Sequence, residues 1–328
     1  MTRFFANANY DFIRLRKYAY ALTAAVIVPG LLFLLVRGLN YSIEFTGGTL
    51  LQIETTTPVD VGAVRSALDR QEIRGAEIQQ FGAPNEYVIR ARIAKAGTDA
   101  NDTQVTATEV GKALDSALGA GNYTIQRTEA VGPKVGSELR QKAFLAIFLS
   151  FFAVLAYLAY RFEWRFGLAA VIATAHDILA TIAFIGAMRL EVSLVIVGAV
   201  LSMVGYSLND TIIIFDRVRE NLRKHKKDTF AETLNRSINE TLPRSVLTHG
   251  TTLATLLALT IFGGEVIRPF ALVMFFGVFT GTFSSIYIAS PVLMAIEQKW
   301  PGPQARGTRP AKEKGPAPAG GRRPQTVA

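Results

Sequence analysis

GYSLNDTIIIFDRVREN, residues 205–221, joins an apolar run to a charged amphipathic stretch and carries two adjacent polar side chains, Asn209 and Asp210, within its apolar part. Upstream, SLVIVGAVLSMV (193–204) holds no charge, so 192–215 supplies the roughly 20 mostly apolar residues that one crossing of a bilayer core of about 30 Å needs. A carboxylate inside such a helix costs about 2.5–3.5 kcal/mol to insert. Asp210 is therefore either satisfied by a neighbouring helix or present for a task.

The rest of the chain agrees with a membrane reading. Of 328 residues 50% are hydrophobic, the mean hydropathy is +0.26 and the net charge is +9, a combination outside the range of ordinary soluble domains. Six spans follow, at 18–36, 143–160, 166–188, 192–215, 246–262 and 266–296. The first has basic residues before it but no small-residue cleavage site after it, and reads as an uncleaved span. Lys and Arg number four in 1–17, eight in 216–245 and seven from 297 onward, against one each in 189–191 and 263–268. By the positive-inside rule both termini are cytoplasmic. The positive charge is thus a topology signal and points to no nucleic acid. Cysteine is absent and the histidines, His176, His225 and His249, have no metal-ligand spacing, so neither a metal nor another cofactor is expected.

The remaining connection, 37–142, is extracytoplasmic and nearly neutral, with 12 basic and 13 acidic residues. Strand-like runs at 48–56, 76–81, 86–93 and 122–130 alternate with two helical patterns, one capped at Thr57-Pro58 and one at about 104–118. The order β-α-β-β-α-β is ferredoxin-like and predicts an α+β binding module. KAGTDANDTQ (95–104) reads as a flexible loop. The tail, rich in Pro, Gly, Lys and Arg from about 301, reads as disordered, and 297–328 as cytoplasmic. Gly47-Gly48 is a tight turn, not a phosphate loop, since no Lys-Ser/Thr follows.

Polar residues fall in rows. Gly198, Ser202, Gly205 and Asn209 share one face of span four, and Arg244, Thr248, Thr251 and Thr255 repeat the spacing in span five. Two polar stripes in lipid seek each other, which predicts Asp210 beside Asn209, Arg244 and the threonine hydroxyls. That seam is open to two readings, a salt bridge that locks helices or a proton relay. A second polar site is His176-Asp177 in span three, read as satisfied by interhelical hydrogen bonds with a histidine that can titrate. His249 lies off the Arg244 stripe and reads as structural or as a third member of that second polar site. Gly277 and Gly281 form a GxxxG suited to close helix packing.

Five ordered motifs, SIEFTGGT (42–49), VGPKVGSEL (131–139), AHD (175–177), GYSLNDTIIIFDRVREN (205–221) and TLPRSVLTHGTT (241–252), resemble the SecF branch of the SecD/SecF protein-export family. The resemblance covers about residues 15–296. It implies a six-span half of an RND-like architecture whose other half is SecD, in the bacterial inner membrane. It further implies work with the SecYEG channel and accessory subunits on unfolded preproteins, driven by protons. Carried onto this chain, the family's proton-pathway residues are Asp210, Arg244 and Thr248, with Asn209 adjoining. The chain departs from the family pattern at Glu44, Leu247 and His249. Three readings compete: half of an RND-type small-molecule exporter, a passive translocon scaffold, and an intramembrane aspartyl protease using Asp177 and Asp210. The last lacks the Gly-x-Gly-Asp stretch such enzymes carry.

Overall fold

The structure, a computed structural model, describes residues 8–71, 73, 76–80, 82–91 and 103–302. Most of the polar loop expected at 95–104, and the tail beyond residue 302, lie outside the described residues. Among them, six helical segments are long and apolar enough to cross a membrane. They are α1 (Arg16–Arg37), α5 (Pro133–Arg161), α6 (Trp164–Ala187), α7 (Leu194–Lys224), α8 (Phe230–Phe262), and a composite of α9 (Gly264–Ser284), a π-helical turn (Ser285–Ala289) and α10 (Ser290–Lys299).

Each of the six expected spans is present, but several helices run past the apolar stretch that announced them. α5 starts ten residues before 143, at Pro133, because Gly132-Pro133 offers a proline at the first helical turn; the last residues of the segment 37–142 are therefore helix. α8 starts at Phe230, inside the region read as the 216–245 loop. Thr229 and Glu232 build a reciprocal capping box there, a polar start that hydropathy does not see. Asn235 and Asn239 on this extension hold the segment just before α1: Asn235 accepts from Ile13 N at 3.1 Å, and Asn239 bonds both the amide and the carbonyl of Tyr10, at 2.8 and 2.9 Å. Span six is one crossing interrupted by the π-helical turn, with Ser290 Oγ donating to the Ser285 carbonyl at 3.0 Å. Beyond it, Glu297 pairs with Arg165 at 2.6 Å.

The soluble domain follows the expected order. β2 (Gly48–Thr55), α3 (Val61–Arg70), β3 (Glu77–Gln80), β4 (Glu86–Ala91), α4 (Thr103–Leu118) and β5 (Tyr123–Val131) build an antiparallel sheet ordered β3-β4-β2-β5. Alternation along β2 and β4 buries Leu51, Ile53 and Ile89 against Val64 and Leu68 of α3 and Val110 and Leu114 of α4. The expected Thr57-Pro58 cap is corrected: α3 begins three residues after Pro58, where the Asp60 carboxylate accepts from Gly62 N at 3.0 Å. Aspartate is a stronger N-cap than threonine, and it takes the role.

The domain is tied to the bundle at one rim. β1 (Asn40–Tyr41) pairs in parallel with β6 (Glu191–Val192) between α6 and α7. In the short helix α2 (Ile43–Thr46), Glu44 accepts from Leu194 N at the head of α7, at 2.6 Å. Arg90 of β4 pairs with Glu191 of β6. Gly47 adopts φ +74°, and a Cβ there would fall 2.7 Å from Pro133 Cα, so this turn needs glycine both for its backbone angle and for its contact with α5.

In the bundle, α9 lies against α7 and α8, and α6 against α1, α7 and α9. The GxxxG glycines are points where α9 closely approaches α7. A Cβ on Gly277 would meet Met203 Cγ at 2.2 Å and one on Gly281 would meet Ser207 Cβ at 2.8 Å, the small-residue packing expected between membrane helices.

Candidate polar site in the membrane bundle

α7 turns the row Met203, Ser207, Asp210 and Ile214 inward; all four are buried. Spacings of four, three and four residues keep them on one helical face. α8 meets this row with Ser245 and His249, also buried, and with Thr252 and Leu256 one and two turns further on. Asp210 is 3% exposed, and its Oδ1 accepts from Ser245 Oγ at 2.7 Å. Its Oδ2 is buried with no hydrogen-bond partner among the described residues, as is Nδ1 of His249. Arg244, next in sequence to Ser245, is the cationic side chain whose field reaches Asp210. Tyr206 completes the wall: its hydroxyl donates to Thr252 Oγ1 at 2.8 Å, and its ring meets that of His249 edge-on at 5.5 Å.

The expected seam is therefore displaced by one residue on both helices. Ser202, Gly205 and Asn209 of α7 and Arg244, Thr248, Thr251 and Thr255 of α8 are exposed. Neighbours on a helix point about 100° apart, so the stripes that looked like the contact lie beside it. Arg244 makes no hydrogen bond or ion pair with Asp210 among the described residues, and the partner in contact is Ser245. His249, read as structural or as part of the second polar site, is buried one turn from Ser245 against Tyr206 and is not among the partners of Asp177. Ser245, Tyr206 and Thr252 were missed. The signal for the contacting face of α7 is the row containing Asp210 itself, Met203–Ser207–Asp210–Ile214, which the small, polar stripe through Asn209 obscured.

The second cluster lies where α6, α7 and α9 meet. Asp177, 1% exposed, accepts from Ser207 Oγ at 2.5 Å and from Ser284 Oγ at 2.8 Å through Oδ2, while Oδ1 lies 2.9 Å from His176 Nδ1. Both oxygens are satisfied, the interhelical arrangement expected for this residue. Ser207 is one turn from Asp210 and Thr211, and Thr211 bonds Ser285 at 2.8 Å. The two aspartates thus belong to separate clusters joined by one face of α7, unlike a protease dyad sharing one site.

A sequence-family profile described as "Protein export membrane protein SecD/SecF, C-terminal" matches residues 110–299, and a second, "SecD/SecF GG Motif", matches 32–59. The protein translocase subunit SecF of Gemmatimonas aurantiaca is 57% identical over 309 residues, covering 92% of this chain and 91% of that one. The SecF of Escherichia coli O157:H7 is 36% identical, with 88% of each chain covered. The crystal structure of SecDF, a translocon-associated membrane protein from Thermus thermophilus, superposes with a TM-score of 0.78 at 35% identity. The match covers 89% of this chain and 39% of that longer one. With its motifs, six spans and ferredoxin-like domain matched along most of its length, the chain belongs to the SecF family of protein-translocase subunits, a SecD-associated component of a multi-pass membrane complex.

Proposed function

We propose that this chain, with SecD, uses the proton motive force to promote preprotein translocation and release on the extracytoplasmic side, downstream of the SecYEG channel. Protons pass by way of Asp210, with Ser245, His249 and Arg244 as its surroundings and Asn209 and Thr248 on the adjoining exposed face. One observation carries this reading: a buried carboxylate with one oxygen bonded to Ser245 and the other, among the described residues, without a hydrogen-bond donor. Burying a carboxylate oxygen away from any protein donor is costly in a purely structural group. An oxygen that alternately receives and releases a proton accounts for it. The charge count supports cytoplasmic termini and hence a route toward the Lys- and Arg-rich side.

The exposed polar stripes support the same reading. Arg244, Thr248 and Asn209 cannot rest comfortably against lipid tails, and a SecD half seated on them would bring Arg244 and Asp210 into one enclosed path. In that assembly Asp210→Asn and Arg244→Met each abolish gradient-dependent export in inverted vesicles while the protein still co-purifies with SecD. Undiminished export by both variants, with normal assembly, would instead favour a passive scaffold. The satisfied Asp177 cluster is read as that kind of structural lock, with His176 at its edge. Asp177→Asn then lowers thermal stability more than it lowers export per folded complex.

A further inference from the structure

We propose that a phospholipid chain occupies the apolar cavity between α5 and the α6–α7 pair at the domain end of the bundle, with the lipid phosphate held by Arg140. The cavity, about 110 Å³, is roofed by Tyr41 and Phe45 and walled by Phe144 and Ile147 of α5, Ile182 of α6 and Val200 of α7. Its lining is apolar, and Arg140 is the one charged side chain on it. An apolar void of this size stays dry and takes up an apolar occupant. In a bilayer the abundant apolar occupant is an acyl chain.

Arg140 supplies the complementary charge. It is exposed, and among the described residues its guanidinium has no hydrogen bond or ion pair. Arg140 lines the cavity and is also exposed, and an arginine so placed can lay its aliphatic stem on apolar surface while its charged head stays at the polar boundary. Arg140 and Ile147 are seven residues apart, about 10 Å along α5, so a phosphate at one and the upper chain at the other fit a single lipid. Guanidinium also matches phosphate geometry better than a lysine does. The roof is the segment that joins α1 to the soluble domain, so the occupant would support the rim where Tyr41 and Phe45 pack.

The full chain is to be reconstituted in nanodiscs containing phosphatidylglycerol with a diazirine on one acyl chain, irradiated, and mapped by mass spectrometry. Labelling concentrated on Phe144, Ile147, Ile182 and Val200 is the expected result. Arg140→Gln should lower it about fivefold, the share one basic residue contributes at an anionic surface. Ile147→Trp, which fills the void, should remove it. Even labelling of lipid-facing residues such as Leu32, Leu145 and Phe279, or labelling unchanged in Arg140→Gln, would overturn the proposal. So would protection of the cavity residues by an associated protein helix. Arg140 is exposed, so its variant keeps the test available if the tryptophan variant does not fold.

Discussion

Ser245 Oγ donates to Asp210 Oδ1 across 2.7 Å, and this is the hydrogen bond by which α8 meets the carboxylate of α7. A single such bond is worth about 1.4 kcal/mol, or about tenfold in rate where the bonded state is the working one. Ser245→Ala should therefore lower gradient-dependent export about tenfold, and Ser245→Thr should restore most of it. Export by the alanine variant at the parental rate would remove Ser245 from the pathway.

The contact of Gly281 with Ser207 gives a stability prediction. Gly281→Val must displace α9 from α7, since even a Cβ would sit 2.8 Å from the Ser207 Cβ, and overpacking of this kind costs about 1–3 kcal/mol. Gly198 is the control: nothing lies within 4 Å of a Cβ there, and Gly198→Ala should be neutral or stabilising by up to about 1 kcal/mol. Melting temperatures of the purified full chain would separate the two.

Glu191 predicts a pH dependence at the domain rim. Burial pushes its carboxyl above the ordinary 4.5, the paired Arg90 partly offsets this, and Glu77, Glu44 and Glu129 add to the rise. A raised folded value means the folded chain holds the proton more tightly than the unfolded chain does. The contribution of this group is then full below about pH 4.5 and is lost as pH rises through the folded value. In Glu191→Gln the melting temperature should fall less between pH 4.5 and neutrality than in the parent; equal slopes would contradict the assignment.

Asn239 brackets Tyr10 with two hydrogen bonds, at 2.8 and 2.9 Å. Removing both in Asn239→Ala should cost about 1–2 kcal/mol locally and loosen the segment around Tyr10 from α8. Hydrogen exchange at residues 9–13 should accelerate, with the amides of α9 unchanged. Unaltered exchange at Tyr10 would show that the segment is held by other contacts.

Much of this protein could be read from its sequence because its constraints are periodic. Twenty-residue apolar runs have one solution in lipid, so the six crossings were evident, and alternation in 86–93 marked a strand of the soluble domain, found as Glu86–Ala91. What escaped was anything decided by a single residue. The Thr229–Glu232 box extends α8 well beyond its apolar part, and Asp60 takes the cap from Thr57. The polar seam was misplaced by one position because small and polar residues mark a face that can approach another helix, without saying which helix. Arg244 and Asn209 sit on such a face while Asp210 and Ser245 sit on the next. Asp177 was easier, since an unassisted carboxylate in mid-span demands donors and Ser207 and Ser284 supply them.

The π-helical turn at Ser285–Ala289 works as a phase shifter. A turn closed over five residues accommodates one more than the α-helix does, and each residue carries about 100° of rotation. Everything beyond Ala289 is therefore rotated by that angle from where an uninterrupted rod would bring it. With the offset in place, Ser285 reaches Thr211 while Glu297, further along, still meets Arg165. Closing the turn as α-helix without removing a residue would leave every polar group at the centre chemically intact and swing Glu297 off its arginine. The far end of span six would then uncouple from α6 by torsion alone.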